Sequence, residues 1–122
     1  MKTILIVDDE VNLNNTLKIT LSLLGDFNVE QAFTGNDGVA KAADVQPNLI
    51  IMDYKMPDIS GWEASRLIRA NESTKTIPII GYTAWASLDD IKEGIKIGLN
   101  EIITKPFDID SWQEKLAKYL TE

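Results

Sequence analysis

The sequence predicts an α/β protein, a doubly wound sheet of five parallel strands with five helices spread over both faces. Three observations carry that prediction. Short runs of branched apolar residues recur along the chain: ILIV at 4–7, LIIM at 49–52, IPII at 77–80 and EII at 101–103. They are continuous rather than alternating, as in parallel strands covered on both faces. Segments of helical periodicity separate them, and such alternation demands right-handed crossovers that place helices on both sides of the sheet.

The first strand, 4–7, runs directly into Asp8, Asp9 and Glu10. The first helix repeats Leu13, Leu17, Leu21 and Leu24 at spacings of three and four, with Gly25 as its stop. NVEQA, 28–32, has the mixed polarity of an edge strand. A second helix is expected from about Asn36 to Val45, ended by Pro47. After LIIM, Ser60 and Glu63 stand at capping-box spacing and open a third helix with Ala64, Leu67 and Ile68 on one face. Trp62, at its start, is expected to be partly exposed. The fourth helix carries Leu88, Ile91 and Ile95 behind a second capping pair, Ser87 and Asp90. Gly94 and Gly98 fall within or beside it. Glycine costs about 1 kcal/mol relative to alanine in a helix interior, so this helix should be weakly held, with Gly98 as its stop. The fifth helix follows Asp108 and presents Ile109, Trp112, Leu116 and Leu120, which puts Trp112 in the core.

A chain of 122 residues, 44% hydrophobic and 25% charged, fits one globular domain. Its net charge of -7 argues against direct binding to nucleic acid or to anionic membranes. The absence of cysteine excludes disulfides, thiolate metal sites and cysteine nucleophiles. The absence of histidine excludes the Ser-His-Asp arrangement, the usual zinc ligands and an internal phosphohistidine. No signal-peptide core and no apolar run of membrane length is present, so a cytoplasmic location is expected.

Sheets of this kind bind ligands outside the carboxyl ends of their strands. There the sequence sets Asp8, Asp9 and Glu10 after strand one, Asp53 after strand three, Thr83 after strand four and Lys105 after strand five. Each has an ordinary explanation alone: acids favour a helix N-terminus, and Asp53, Thr83 and Lys105 suit a turn, a cap and a solvated surface. Together they form a cluster at one sheet edge. Clustered carboxylates repel, and a cation relieves them; oxygen donors without His or Cys favour magnesium, with manganese as a substitute. Lys105 adds a fixed positive charge and Thr83 a short hydroxyl. A carboxylate so surrounded suits phosphoryl transfer, in which an aspartate can be the nucleophile.

Over essentially its whole length the chain resembles the receiver domains of bacterial two-component response regulators. The matching stretches are IVDDE (6–10), MDYKMPDISG (52–61), PIIGYTA (78–84) and TKPF (104–107), in order and each at the end of an expected strand. The resemblance implies the flavodoxin-like strand order 2-1-3-4-5. It implies that Asp53 accepts a phosphoryl group from a histidine on a partner kinase or histidine phosphotransfer protein. Magnesium would be ligated by Asp9, Asp53 and the backbone carbonyl of Lys55, with Asp8 acting mainly through bound water. Lys105 would pair with the phosphoryl oxygens, Thr83 would turn its hydroxyl toward them, and Pro106 would follow a cis peptide bond. Lys55 and Trp85, each two residues beyond a site residue, hold positions that tune water access, and Trp85 is expected to shield the phosphorylated Asp53.

One departure from the family pattern concerns output. Many receivers carry Tyr or Phe three residues before the lysine, where this chain has Ile102. Switching is expected to reach a protein target through the fourth helix, fifth strand and fifth helix. The chain is expected to assist its own phosphorylation and dephosphorylation without being an enzyme, and no output domain follows within residues 1–122. The alternatives are a phosphorylation-independent binding module, slightly favoured by Ile102, and a magnesium-dependent aspartyl phosphatase, which would lack a second domain to enclose its substrate. A small flavin carrier is weaker still, because no phosphate-cradling loop follows strand one.

Overall fold

The computed structural model describes residues 1–84, 86–105 and 108–120. In chain order it contains β1 (Lys2–Val7), α1 (Val11–Leu23), β2 (Phe27–Ala32), α2 (Gly35–Val45), β3 (Leu49–Met52), α3 (Gly61–Ala70), β4 (Ile79–Thr83), α4 (Leu88–Ile97), β5 (Glu101–Thr104) and α5 (Ile109–Leu120). All neighbouring strands are parallel, in the order β2-β1-β3-β4-β5. This is the predicted architecture, with the mixed-polarity strand at an edge.

The continuous apolar runs are explained by where their side chains go. Alternate residues of a strand face opposite sides, and here both sides are cores. Ile4, Ile6, Leu49, Ile51 and Ile80 pack with α1 and α5 through Leu17, Leu21, Trp112 and Leu116. Leu5, Val7, Ile50, Met52 and Ile79 pack with α2 and α3 through Ala42, Trp62, Ala64 and Ile68. Every residue of β1 from Ile4 to Val7 and of β3 is buried.

The structure corrects several expectations. The fourth strand is Ile79–Thr83 rather than 77–80. The Ile77 amide donates to the Thr74 carbonyl in a turn, and Pro78 has no N–H for the ladder. Thr83 is therefore the last residue of β4, not the first beyond it. Trp62 is not partly exposed: it is 1% exposed, inside the α3 core. In α1 the buried positions are Asn14, Leu17 and Leu21, with Leu13 only half-buried. Leu67 of α3 and Ile109 of α5 point to solvent. The apolar stripe of α4 also faces outward, with Leu88 66% exposed and Ile91 and Ile95 open beside it, while Gly94 is the buried residue of that helix.

Gly94 is where α4 comes closest to the core. A Cβ there would lie 2.7 Å from Ile102 Cδ1 and 3.1 Å from the Trp62 ring. The residue that lowers intrinsic helicity thus lets the helix dock. Both ends of α4 are held from α3. The indole nitrogen of Trp62 donates to the Asp90 carbonyl at 2.8 Å. Arg69 donates to the Gly98 carbonyl at 3.1 and 3.0 Å, to Ile77 O at 2.7 Å, to Lys75 O at 3.1 Å and to Asn100 Oδ1 at 3.1 Å. Gly98, with φ of 120°, stops the helix as expected. Among the described residues no helix is long and apolar enough to cross a membrane.

Arg69 serves several carbonyls through one planar fork, a geometry lysine cannot reproduce. Arg69→Lys should lower the unfolding free energy by about 2 kcal/mol in urea titrations. Amide exchange in α4 should quicken while β1 and β3 stay protected.

Candidate functional site

The sheet brings the strand ends into one row. β1 and β3 end in register, Val7 opposite Met52, so the next residues stand side by side, and the Asp53 amide donates to the Val7 carbonyl at 2.9 Å. β4 and β5 end with Thr83 opposite Thr104, and the Lys105 amide donates to the Thr83 carbonyl at 2.8 Å. From there Lys105 reaches back across the row. Its ammonium lies 3.0 Å from Asp8 Oδ2 and 3.3 Å from Asp53 Oδ1, and 5.3 Å from the centre of the Tyr82 ring. Asp8 is 2% and Asp53 6% exposed, whereas Asp9 is open to solvent. One oxygen from each of the three carboxylates lies within 4.8 Å of the others. Thr83 is buried beside them.

The loops that carry these groups are set by backbone contacts. The Glu10 amide donates to Asp8 Oδ1 at 2.9 Å, while Glu10 itself is the N-cap of α1 and its side chain makes no cap bond. The Tyr54 amide donates to Asp53 Oδ1 at 2.9 Å. Only glycine fits at position 61, because a Cβ there would stand 1.7 Å from the Asp53 carbonyl oxygen. The Gly61 amide closes the β3–α3 loop on Tyr54 O at 2.7 Å. Asp58 ties the same loop to α2 by accepting the Gly35 and Asn36 amides at 2.9 and 2.7 Å.

Electrostatics follow from this crowding. Burial, and then the charge of Asp8, push the Asp53 carboxyl up from 3.8 to about 6, against the pull of Lys105. Burial works against the Lys105 charge too, but Asp53 and Asp8 outweigh it and hold its ammonium above the usual range. One ammonium against three carboxylates leaves the cluster anionic. Its donors are all oxygen, on residues close enough to share one ion, and they fit a hard divalent cation such as magnesium.

A cleft of about 670 Å³ opens over the cluster, lined among others by Asp9, Asp53, Lys55, Thr83, Asp90 and Lys105. Lys55 is exposed in the β3–α3 loop. Ile102 sits on β5 opposite Gly81 and packs near Gly94. Trp85 and Pro106 lie outside the described residues. The structure thus brings Asp8, Asp9, Asp53, Thr83 and Lys105 together, with Lys55 on the rim.

Sequence reasoning missed three groups that link the β3–α3 loop to α4. The Tyr54 ring meets the Trp62 ring edge-on, with centroids 4.8 Å apart, and its hydroxyl stands 3.5 Å from the Asp90 carboxylate. Burial, with Asp90 and Glu93 nearby, pushes the Tyr54 phenol up. Tyr54, Trp62 and Asp90 therefore join the β3–α3 loop to the first turn of α4. No sequence signal could have linked them, because Asp90 is 36 residues from Tyr54. Asn14 did leave a signal, a polar residue in phase with Leu17 and Leu21.

Comparison with known proteins agrees with this arrangement. The profile of the response regulator receiver domain matches residues 4–117. The chain is 41% identical to response regulator ArlR of Staphylococcus aureus over 120 residues, 98% of this chain and 53% of that protein. It is 35% identical to the DNA-binding dual master transcriptional regulator RpaA of a Synechocystis strain over 118 residues, 97% of this chain and 47% of that protein. It spans about half the length of these relatives. Among solved structures, chemotaxis protein CheY4 of Vibrio cholerae superposes with a TM-score of 0.91 at 30% identity, covering 98% of this chain and 99% of that one. The receiver domain of sensor histidine kinase PA1611 from Pseudomonas aeruginosa, which holds a magnesium ion in its active site cleft, gives 0.88 at 30% identity, covering 97% and 96%. The sheet order, the acidic cluster with its lysine and the matched profile lead to one assignment: the chain belongs to the response regulator receiver domain family.

Proposed function

We propose that this chain is a phosphoacceptor switch of a two-component phosphorelay, taking a phosphoryl group on Asp53 from a phosphohistidine of a partner kinase or phosphotransfer protein. The observation that carries this reading is the Asp53 carboxylate lining the cleft, 3.3 Å from the Lys105 ammonium and within 4.8 Å of two further carboxylates. An Asp53 oxygen attacks phosphorus, the P–N bond breaks with its electron pair passing to the imidazole, and an aspartyl phosphate forms. The group adds about -1.5 to -2 charge, which Lys105 offsets while Thr83 donates its hydroxyl. Attack of water on phosphorus later returns phosphate and the free carboxylate. Magnesium supplies charge neutralisation when bound, and manganese can replace it. Asp9, Asp53 and the Lys55 carbonyl would hold it, with Asp8 supporting the site through bound water. Lys55 and Trp85 tune the access of water to the phosphorylated site.

The output surface in this reading is α4, β5 and α5. It is supported by Leu88, Ile91 and Ile95, apolar residues exposed on α4. Ile102 supplies no rotating ring, and the Tyr54–Trp62–Asp90 contacts connect the acceptor loop to α4. The net charge of -7 argues against direct contact with nucleic acid, and in this reading the domain acts in the cytoplasm through protein partners, not at a membrane.

Incubation with magnesium and a small phosphoryl donor should add one phosphoryl group by intact mass, and none to Asp53→Asn. No addition with a cognate kinase would leave the phosphorylation-independent module, and phosphate release far beyond one equivalent would point to a phosphatase. Trp85→Ala should shorten the life of the phosphorylated form, followed by the same mass measurement.

The Asp53 carboxyl sits near 6 in the folded chain against an ordinary 3.8. Between those values the folded state keeps a proton that the unfolded state has released. Ionising Asp53 therefore costs the fold nothing below the lower value and its full amount above the higher. Without magnesium, Asp53→Asn should gain in urea midpoint over wild type as pH rises from about 4 to 7. Added magnesium should narrow the gap by stabilising wild type.

A further inference from the structure

Asn14 is 0% exposed in the core face of α1, where leucine would continue the stripe of Leu17 and Leu21. Asparagine is a poor helix-interior residue, and a buried carboxamide is costly unless every group is partnered. Here each is. Its Nδ2 donates to the Asp8 carbonyl at 3.0 Å and to the Ala32 carbonyl at 3.0 Å. Its Oδ1 accepts from Gln31 Nε2 at 3.0 Å. The reverse orientation would set oxygen against two carbonyls, so the partners determine the amide's direction. The Asn14 amide N–H also donates to Glu10 O at 2.9 Å. One residue, a turn into the helix, thus grips both ends of the segment 8–10.

We infer that Asn14 is a positioning residue for the divalent-cation site, an inference that rests on the metal-binding reading proposed above. By holding the Asp8 carbonyl it fixes the peptide plane between Asp8 and Asp9. That plane decides where the solvent-exposed Asp9 carboxylate stands relative to Asp8 and Asp53. Three like charges within 4.8 Å favour moving apart, and Asp9, being exposed, is the one with room to move. The bracket from Asn14 works against that movement before any ion arrives, so the ion meets ligands already gathered. It touches neither the ion nor the phosphoryl group.

The test is Mn²⁺ affinity of the purified chain, read from the electron paramagnetic resonance of the free ion, for wild type, Asn14→Leu and Leu17→Ala. Leucine keeps the bulk and loses both donors, and binding should weaken about tenfold or more, the scale expected when an outer support of a metal ligand is removed. Leu17→Ala removes packing from the same helix face and should stay within about twofold of wild type, since an aliphatic side chain in the core cluster offers no hydrogen bond to residues 8–10. Should Asn14→Leu fail to fold by circular dichroism, Gln31→Leu frees the same carboxamide from the half-exposed edge strand and should weaken binding several-fold. Wild-type affinity in Asn14→Leu, or in Gln31→Leu where that variant stands in, would overturn the inference. So would an equal loss in Leu17→Ala, which would make Asn14 merely structural. No saturable binding by wild type would overturn the metal reading itself, and the inference with it.

Discussion

Two buried carboxylates at the end of adjacent strands need a counter-charge, and Lys105 provides it. Asp8 and Asp53 leave water because β1 and β3 are covered on both faces up to their last residues. The ammonium that answers them comes from the far edge of the sheet, and its own side chain is only 10% exposed. Its reach depends on the register of β4 with β5 and on the strand order that sets β3 and β4 between it and β1. Strand pairing and site electrostatics are therefore one constraint seen at two scales.

That neutralisation is incomplete, and the remainder is what makes the site chemically poised. The Asp53 carboxyl is held near 6, close enough to neutrality that a cation or a change in Lys105 alters its charge. A fully paired cluster would be inert structure. An unpaired one would unfold the strand ends or protonate them. The lysine sits between those limits, and the exposed Asp9 leaves a side of the cluster open to a ligand.

α3 links this chemistry to the rest of the molecule. Its first residue must be glycine because the Asp53 carbonyl passes against it, its second is the buried Trp62, and near its end Arg69 gathers the carbonyls around Gly98. The glycines at 81 and 94 keep β4 and α4 close around the indole, since a Cβ at either would press on the ring. The loop after β3 thus has a packed route to both ends of α4, in a chain where position 102 is aliphatic. The outward stripe of Leu88, Ile91 and Ile95 lies on the helix this route reaches.

By itself the sequence determined the element order, the parallel sheet and the row of polar residues at the strand ends. Continuous apolar runs, capping pairs and turn residues are local, and their consequences are the same wherever the segment ends up. Asp8, Asp53, Thr83 and Lys105 were legible for that reason, and the resemblance supplied their expected roles. Tertiary structure alone decided which faces are buried. Leu88, Ile91 and Ile95 have the spacing of a core stripe, yet α4 turns that stripe outward because Gly94 is the side thin enough to approach Trp62 and Ile102. Trp62 looked like a loop-edge residue until the glycines at 81 and 94 made space for it. The extent of β4 was hidden by Gly81, a poor strand signal but a necessary neighbour of the indole. Asn14 completes the pattern: it shares the buried face of Leu17 and Leu21, and only the fold brought the carbonyls of Asp8 and Ala32 within reach of its side chain. Burial depends on partners distant in sequence, and a local pattern does not contain them.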